Sequence, residues 1–247
     1  MPALGRRLSP AGSIGERVER LDWEAIGRSL EEYGWSTTTP LLTPADCGEL
    51  IALYGDDRRF RSRIDMARYR FGEGEYKYFA EPLPPLVAAL RATVYPRLVP
   101  FANRWATMLG ASGRPYPSDL ERFLAACAEH GQRRPTPLLL RYDIGGYNCL
   151  HQDLYGDVVF PLQLTCVLSR VGADYTGGES LLVEQRPRAQ SRGDAVVLGQ
   201  GEALIFATRY RPARGARGYY RVTLRHGVSR VRWGRRFSLG VIFHNAE

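Results

Sequence analysis

The segment RYDIGGYNCLHQD, residues 141–153, decides how the rest of the chain is interpreted. It ends in His151-Gln152-Asp153, and a second histidine, His226, lies much further along the chain. Two imidazoles and one carboxylate are the ligand set that holds non-haem Fe(II) with open coordination positions. In a strand, side chains at i and i+2 share a face, so His151 and Asp153 can reach one metal while Gln152 points away. The third ligand must then come from another strand or loop, which accounts for the distance to His226.

An arginine, Arg236, follows this second histidine closely. Its planar guanidinium can bind a carboxylate in bidentate fashion, which a lysine cannot do. If residues 236–243 form a strand, Ser238 shares a face with Arg236 and its hydroxyl reaches the same anionic group. The pattern therefore predicts an iron site that activates O2, with a carboxylate-bearing cosubstrate anchored beside it.

The sequence around the motif is typical of an all-β region. From Pro137 onward, short apolar runs alternate with Gly, Asp and Pro. Eight strands are predicted, at residues 138–142, 148–153, 158–168, 180–183, 195–198, 203–206, 219–231 and 237–243. Eight strands behind a helical half predict an α+β fold, with a double-stranded β-helix (jelly-roll) core and N-terminal supporting helices.

The first half of the chain carries apolar residues at helical spacing. Four helices and one strand are predicted, at residues 16–33, 43–54, 84–109 and 118–130 and at residues 35–42. Gly34 should end the first helix, and Pro96 and Pro100 should break or kink the third. Residues 1–16 lack an apolar core and indicate a loose tail, not a signal peptide. We predict a single domain over residues 17–247, helical over 17–135 and β from 136 to 247.

Length and composition restrict the class of protein. With 247 residues, 44% of them apolar and 11% aromatic, the chain can bury a sizeable core. It contains no run of 18 uncharged apolar residues, so we expect no transmembrane helix and no membrane contact. The cysteines form no CxxC pair, which argues against a zinc ribbon or disulfide scaffold and favours buried thiols in a reducing cytoplasm. They are Cys47, Cys127, Cys149 and Cys166.

The charge of the chain favours a polyanionic partner. The net charge is +8, with a pI near 9.5, and Lys77 is the only lysine. Such a balance suits nucleic acid, although a preference for arginine also arises from the base composition of a genome.

Two basic segments are candidate nucleic-acid contacts. Residues 58–79 interleave arginines with aromatic residues, which suits phosphate contacts and base stacking, but equally suits an ordinary hairpin with an aromatic inner face. Residues 209–221 hold five arginines and three tyrosines, and predict either a phosphate-binding loop near the mouth of the site or a solvated connection. The candidate substrate-binding residues are Tyr69, Arg70, Tyr76, Tyr78, Arg209 and Arg211.

The segment 141–153 resembles the metal-binding segment of the Fe(II)/2-oxoglutarate dioxygenases. It is most similar to the AlkB-type enzymes, which oxidatively demethylate damaged nucleic acid. In these an arginine-tyrosine pair and a glycine precede Leu-His-Gln-Asp at this separation. The triplet Gly177-Gly178-Glu179 and residues 201–206, 225–228 and 236–238 add to the resemblance. It covers about residues 138–245 and does not extend to the sequence before residue 138.

The resemblance implies a set of cofactors and a role for each motif residue. The cofactors are Fe(II), 2-oxoglutarate as cosubstrate, and O2. Three residues would bind the iron: His151, Asp153 and His226. Arg236 would pair with the distal carboxylate of 2-oxoglutarate, with hydrogen bonds from Tyr142 and Ser238. Leu164 and Phe206 would form walls of the cosubstrate pocket.

The implied reaction is the oxidation of a C–H bond coupled to the conversion of 2-oxoglutarate to succinate and CO2. On an N-methylated base, the product would collapse to formaldehyde and the bare base. Two positions depart from the AlkB pattern: Leu140 replaces an asparagine, and Ile242 replaces a second arginine. Two alternatives therefore remain: a hydroxylase of a prolyl or other amino-acid side chain or small metabolite, and a non-catalytic, basic nucleic-acid-binding domain. The oligomeric state stays open.

Two further residues near the motifs are expected to have no catalytic role. Glu179, in the Gly-Gly-Glu triplet, is expected to fix the entry of a strand. His244 follows the last predicted strand and is expected at the surface.

Overall fold

A computed structural model describes residues 12–111 and 113–247. Within these ranges the helices are α1 (Ile14–Glu19), α2 (Trp23–Tyr33), α3 (Pro44–Leu53), α4 (Pro85–Met108) and α5 (Leu120–Glu129). The strands are β1 (Trp35–Thr37), β2 (Phe60–Asp65), β3 (Gly72–Glu73), β4 (Glu75–Phe79), β5 (Leu138–Tyr142), β6 (Tyr147–His151), β7 (Leu162–Val167), β8 (Tyr175–Gly177), β9 (Ser180–Gln185), β10 (Arg192–Val196), β11 (Ala203–Ala207), β12 (Tyr210–Gly215), β13 (Gly218–Val228), β14 (Val231–Gly234) and β15 (Arg236–Val241). Most of the predicted tail, residues 1–11, lies outside the described residues, and residues 14–16 belong to α1 instead.

Two large antiparallel sheets form the body of the fold. One runs in the order β1-β11-β7-β15-β5-β4-β2, and the other in the order β10-β9-β13-β6-β3, with β12 paired to β13. The eight predicted strands correspond to β5, β6, β7, β9, β10, β11, β13 and β15. Four of them lie in each sheet, and the chain crosses between the sheets at every step except from β9 to β10, as in a jelly roll. The predicted α+β class and the double-stranded β-helix core are confirmed.

Several strand ends differ from the prediction. The strand predicted at 148–153 ends at His151, so Asp153 lies beyond it. The strand predicted at 219–231 ends at Val228, where the pairing of β13 with β6 shifts register after His226. A bulge of this kind ends regular pairing and re-aims side chains. The fifth predicted strand lies slightly earlier than expected, as β10.

The helices at the N-terminus follow their capping residues. The helix predicted over 16–33 is two helices, because the Asp22 carboxylate accepts the amide N–H of Ala25 and starts α2 anew. Gly34 ends α2 in the left-handed conformation, at φ 80°, as predicted. Thr43 and Asp46 form a reciprocal capping box at the start of α3, which begins where the second predicted helix does.

Of the break or kink predicted at Pro96 and Pro100, a break is absent, because helix α4 continues through both prolines. Each proline removes one helical hydrogen bond, but a long apolar face of the helix is buried on both sides of them. Val87, Leu90 and Leu98 on this face are fully buried. Burial of such side chains is worth about 1.5–3 kcal/mol each, enough to offset the lost bonds.

The segment 58–79 joins both sheets. Strands β2 and β4 pair as a hairpin and extend the seven-stranded sheet beyond β5. Strand β3 instead pairs with β6, with Gly72 opposite Asn148. The segment therefore contains a hairpin, and the β structure reaches well into the half predicted as helical.

An aromatic cluster fixes the long helices against the β core. Tyr95 of α4 and Phe123 of α5 stack at 5.3 Å, and Tyr95 lies 4.9 Å from Phe160. Phe160 in turn contacts Phe243 after β15, at 5.5 Å between ring centroids. Aromatic pairs at these distances add to the energy of area burial.

The cysteines are free thiols, of which three are buried as predicted; Cys149 is exposed, contrary to expectation. In the described part of the chain, no helix combines the length and apolarity needed to cross a membrane.

Candidate functional site

The three predicted metal ligands converge between the two sheets. His151 at the end of β6 lies opposite His226 of β13 in register, with ring centroids 4.2 Å apart. The Asp153 carboxylate oxygens lie 3.6 Å from His151 Nε2 and 3.1 Å from His226 Nε2. One donor atom from each residue lies within 4.8 Å of the other two. This donor set and spacing can hold one divalent metal ion.

Local backbone features bring the two histidine strands together. Gly227 follows His226 at the bulge, where a Cβ atom would lie 2.6 Å from the carbonyl oxygen of Asn148. Only glycine permits this close approach of β13 to β6. Gln152, between the two ligands, turns away from them as expected, and its side-chain amide donates to the Leu224 carbonyl at 2.8 Å.

The position of Asp153 is set by a tyrosine instead of by strand alternation. Tyr155 donates a hydrogen bond from its hydroxyl to Asp153 Oδ1 at 2.7 Å. The Tyr78 hydroxyl donates to the Tyr155 oxygen at 2.9 Å. Burial, followed by the Asp153 charge, raises the pKa of Tyr155, so the phenol stays protonated and able to donate.

The imidazole of His151 is oriented for metal binding. Its Nδ1 lies 2.7 Å from the carbonyl oxygen of Cys149, which can only accept, so Nδ1 carries the proton. Nε2 is then the free donor atom facing Asp153. A backbone carbonyl in this role fixes the tautomer and ring orientation of a ligating histidine. His226 Nδ1 is buried without a hydrogen-bond partner in the described residues.

The electrostatics of the triad favour the ligand form. Burial alone would raise the pKa of Asp153, but the two histidines outweigh it and hold that pKa well below its usual range. Burial and then the neighbouring His151 lower the pKa of His226. Burial acts to lower the pKa of His151, but its interactions with Asp153 raise it overall. An ionised carboxylate beside imidazoles is the state that binds a divalent metal.

Arg236 is a buried cation without a buried anion. Its side chain is 1% exposed, and Nη1 donates to Ser238 Oγ at 3.0 Å. No carboxylate lies within ion-pair distance of it in the described part of the chain, and its Nε has no hydrogen-bond partner. An uncompensated buried charge is costly, so this guanidinium is suited to a carboxylate ligand. The predicted pairing of Arg236 with Ser238 on one strand face is observed.

Gly178 makes room for this arginine. At Gly178, which has φ 63°, a Cβ atom would lie 2.8 Å from Arg236 Cδ. Glu179 lies just before β9, where it was expected to fix the strand entry. Its amide N–H donates to the Ser229 hydroxyl at 2.9 Å, and that hydroxyl donates to the Glu179 carboxylate. Tyr142 lies opposite Arg236 in register, and the guanidinium is 5.7 Å from the centre of its ring. Burial raises the pKa of Tyr142 to about 12, so its hydroxyl is protonated.

The triad and Arg236 face one cavity of about 360 Å³ between the sheets. Its floor consists of residues that lie opposite one another in register: Arg236 and Tyr142; Ser238, Leu140 and Tyr76; Gly240, Leu138 and Tyr78. Leu164 and Phe206 both line the cavity, as expected, and the Phe206 ring lies 4.7 Å from His226. The two departures from the AlkB pattern, Leu140 and Ile242, lie in this cavity too.

The predicted substrate residues separate into three groups. Arg70, Tyr76 and Tyr78 line the cavity. Tyr69 lies outside the lining, is 50% exposed and stacks on Phe71. Arg209 is exposed and also outside the lining.

The prediction that Arg211 contacts substrate is wrong. Its side chain is buried, and its Nε donates to Glu184 Oε2 at 2.8 Å. The segment 209–215 is largely a strand, β12, and not a loop, so alternate side chains turn inward. Arg211 is one of the inward residues and joins β12 to β9.

Three cavity or near-cavity residues were missed. Tyr155 stands two positions after Asp153, a spacing from which it could have been identified. Gln163 is buried in β7, lines the cavity and leaves its Nε2 without a partner in the described residues. His244 is fully buried, so the surface expectation is wrong; its Nδ1 accepts the amide N–H of Phe160 at 3.3 Å. Burial lowers the pKa of His244 to about 4, which keeps it neutral.

Comparison with solved structures places the fold in a class. A prolyl-4-hydroxylase of Pseudomonas putida matches 91% of this chain and 99% of its own, at 14% identity and a TM-score of 0.54. The epimerase SnoN of nogalamycin biosynthesis, a non-haem α-ketoglutarate-dependent enzyme, matches 88% of this chain and 80% of its own, at 12% identity and a TM-score of 0.55. At these identities the likeness concerns the fold. Together with the His-Asp-His site and a match to an oxygenase family, this fold places the protein among the Fe(II)/2-oxoglutarate oxygenases.

Comparison with protein families narrows this class. Residues 74–246 match a family described as an oxygenase "catalysing oxidative methylation of damaged DNA". The chain belongs to this family and is an enzyme, so the non-catalytic alternative is not supported. An uncharacterized protein of Mycobacterium tuberculosis is 49% identical over 168 residues, which cover 68% of this chain and 72% of that protein.

Proposed function

We propose that this protein is an Fe(II)- and 2-oxoglutarate-dependent dioxygenase that oxidatively demethylates alkylated bases in nucleic acid. The observation that carries the proposal is a buried Arg236, without an ion pair in the described residues, facing the same cavity as His151, Asp153 and His226. The description of the family as an oxygenase of damaged DNA supports the choice of substrate.

The triad fits an iron ion by its chemistry. Two imidazole nitrogens and one carboxylate leave open positions on a metal for other ligands. Iron bound here would supply the activation of O2, coupled to oxidative decarboxylation of 2-oxoglutarate to succinate and CO2. The chain's own residues hold the ligands in place: the Cys149 carbonyl orients His151, and the Tyr155 hydroxyl holds one oxygen of Asp153.

The cosubstrate would be held by Arg236 at the end away from the triad. A guanidinium with a free Nε can form two parallel hydrogen bonds to a carboxylate. Ser238 and Tyr142 lie beside it with hydroxyls that can donate further bonds. Leu164 and Phe206 would pack against the carbon chain and exclude water.

The rest of the cavity suits a flat, extruded base. Ligand pockets commonly span roughly 300–1,000 Å³, and enzymes that modify bases flip them out of the stack into such pockets. Phe71, Tyr76 and Tyr78 provide aromatic walls, and Arg70 lies among the lining residues. Hydroxylation of an N-methyl group held there gives a hydroxymethyl product that releases formaldehyde.

The direct test is formaldehyde release from N-methylated DNA and RNA oligonucleotides in the presence of Fe(II) and 2-oxoglutarate. We expect formaldehyde and succinate in equal amounts from the wild type, and neither from His151→Ala. His130→Ala, in a histidine at the end of α5 outside the cavity, serves as the matched control and should retain activity.

The main rival is a hydroxylase of a prolyl or other amino-acid side chain or of a small metabolite. The apolar Leu140 and Ile242 in the cavity are the observation in its favour. The prolyl-4-hydroxylase likeness does not add to it, since similarity at 14% identity concerns fold alone. Succinate formation on an amino-acid or metabolite panel, without turnover of any methylated base, would replace our proposal with this one.

A further inference from the structure

The basic excess of the chain is confined to one segment. Residues 203–246 contain ten arginines and neither aspartate nor glutamate. Since the whole chain has a net charge of +8, the remainder carries a net charge of −2. Arginines occur throughout the chain, but in the strands that follow β11 no acidic residue offsets them.

The β12–β13 hairpin sorts these arginines by face. Arg214 lies opposite Tyr219, and Pro212 opposite Arg221, so these pairs share one side of the hairpin. Arg225 follows on the same side of β13 and is exposed. The other side is buried against the protein through four residues: Arg211, Ala213, Val222 and Leu224. We call the exposed side, with its arginines and the two residues 209 and 217 at its ends, the arginine face.

The arginines of this face have no carboxylate partners. Five of them are exposed and form no ion pair within the described ranges: Arg209, Arg214, Arg217, Arg221 and Arg225. Elsewhere exposed arginines are commonly neutralised, as by Asp56 at Arg58 and Asp174 at Arg170. The adjoining strand β9 places Val183 and Gln185 beside the face, and neither is charged. The positive potential is therefore left for an external anion.

The face also offers aromatic surfaces. The Tyr210 ring lies 4.5 Å from the Arg209 guanidinium and 4.9 Å from that of Arg221. Tyr219 is 48% exposed. Guanidinium groups bind phosphates in bidentate fashion, and exposed rings stack on bases, so the combination matches a nucleic-acid strand better than a simple anion.

Hydrogen bonds to backbone carbonyls link the arginine face to the segment that carries two of the metal ligands. The Gln152 amide, beside the ligands His151 and Asp153, donates to the carbonyls of Arg209 at 3.3 Å and Leu224 at 2.8 Å. Arg225 directly precedes His226 on β13, so its side chain points to the opposite, outer side of the same strand. From residue 218 to residue 225 the strand spans roughly 23 Å, at about 3.3 Å per residue. A nucleic-acid strand of that length carries about seven phosphates, at roughly 3.4 Å per phosphate.

We propose that the arginine face binds the phosphodiester backbone of the nucleic acid whose modified base enters the cavity. This inference rests on the proposed function, since it gives that substrate a binding surface outside the cavity. An acidic polypeptide is the other polyanion that a basic face could take, but it offers no bases for Tyr210 and Tyr219.

The test measures binding of unmodified oligonucleotides over a range of salt concentrations by fluorescence anisotropy. The variant is the triple substitution Arg214→Gln, Arg217→Gln and Arg221→Gln. Its control, Arg114→Gln, Arg122→Gln and Arg133→Gln, removes the same charge from exposed arginines that also lack ion pairs in the described residues. We expect the hairpin variant to bind at least about tenfold more weakly, and its log–log salt slope to fall by about two to three. The control should keep the wild-type slope.

Three results would overturn the inference. They are wild-type affinity in the hairpin variant with its fold intact by thermal melting, equal losses in both triple variants, and tighter binding of polyglutamate than of an oligonucleotide. Because these oligonucleotides carry no N-methylated base, binding is measured independently of demethylation. His151→Ala should bind as the wild type does, so failure of the proposed chemistry and failure of the arginine face give different results.

Discussion

Tyr155 determines how the carboxylate of the triad is presented. Because β6 ends at His151, strand geometry alone does not orient Asp153. The phenol occupies Asp153 Oδ1, while Oδ2 remains 3.1 Å from His226 Nε2. Tyr78 supports the phenol from the neighbouring sheet, so both sheets contribute to one ligand.

Loss of this hydroxyl should weaken metal binding. We expect Tyr155→Phe to lower metal affinity by about tenfold or more, as is usual when a hydrogen bond to a ligand is removed. Titration with Fe(II) under anaerobic conditions measures it. Tyr116→Phe is the control, because that hydroxyl donates only to the Val159 carbonyl. Equal affinities for wild type and Tyr155→Phe would show that the phenol does not position the ligand.

Arg236 should be required for the binding of 2-oxoglutarate. Arg236→Met should remove the stabilisation by 2-oxoglutarate, which for a ligand at 100 times its Kd amounts to about 2.7 kcal/mol. Without the cosubstrate the variant should be no less stable than the wild type, since a buried unpaired charge is lost. Thermal melting of the iron-loaded protein without oxygen measures both effects.

Arg91 provides the matched control for this experiment. It is equally buried and without an ion pair in the described residues, but it donates to the Phe243 carbonyl and Asn245. Arg91→Met should lower the melting temperature and keep the response to 2-oxoglutarate. A cosubstrate response retained in Arg236→Met would refute the anchor.

The sequence predicted those strands and helices that are determined by residues close together in the chain. The eight core strands follow from alternating apolar runs, and α2 and α3 end or begin at Gly34 and Thr43 as expected. Strand β12 was missed because its arginine-rich sequence resembles a loop. It becomes a strand through pairing with β13 and through the ion pair of Arg211 with Glu184, neither of which is local.

Gly34, at the end of α2, packs against Arg211 of β12, so a larger residue there should destabilise the fold. Gly34→Ala places a Cβ atom 2.5 Å from Arg211 Cδ, in addition to the strain of φ 80°. Gly131→Ala, at φ 81° with open space around it, carries the strain alone and should cost about 1–2 kcal/mol. We expect urea denaturation to show a larger loss for Gly34→Ala. Equal losses would mean that Arg211 moves aside freely.

The Glu184–Arg211 pair between β9 and β12 should make stability depend on pH. Burial raises the pKa of Glu184, but hydrogen bonds from Arg186 and Arg211 outweigh burial and lower it below its usual 4.5. The stabilisation by the ionised form is therefore complete above that value and is lost as the pH falls through the folded pKa. The difference in unfolding free energy between wild type and Glu184→Gln should shrink on acidification below pH 4.5. A difference independent of pH would contradict this.

On the scale of the molecule, the sequence predicted the jelly-roll class, the convergence of the triad and the position of Arg236. Each of these depends on a short motif or on strand alternation. It did not predict the burial of His244 and Arg211, or the Gln163 Nε2 that has no partner in the described residues, because these depend on which sheets and helices pack together. The arginine face likewise appears only when the register of β12 and β13 separates exposed from buried side chains.

The proposed reaction requires one iron ion between His151, Asp153 and His226. The most direct measurement is an anomalous difference map at the iron edge, from crystals grown without oxygen in Fe(II) and 2-oxoglutarate. We predict a single iron peak within bonding distance of both Nε2 atoms and one Asp153 oxygen, with a cosubstrate carboxylate on Arg236. Iron bound elsewhere, or a triad that holds none while Arg236 faces no carboxylate, would contradict the account.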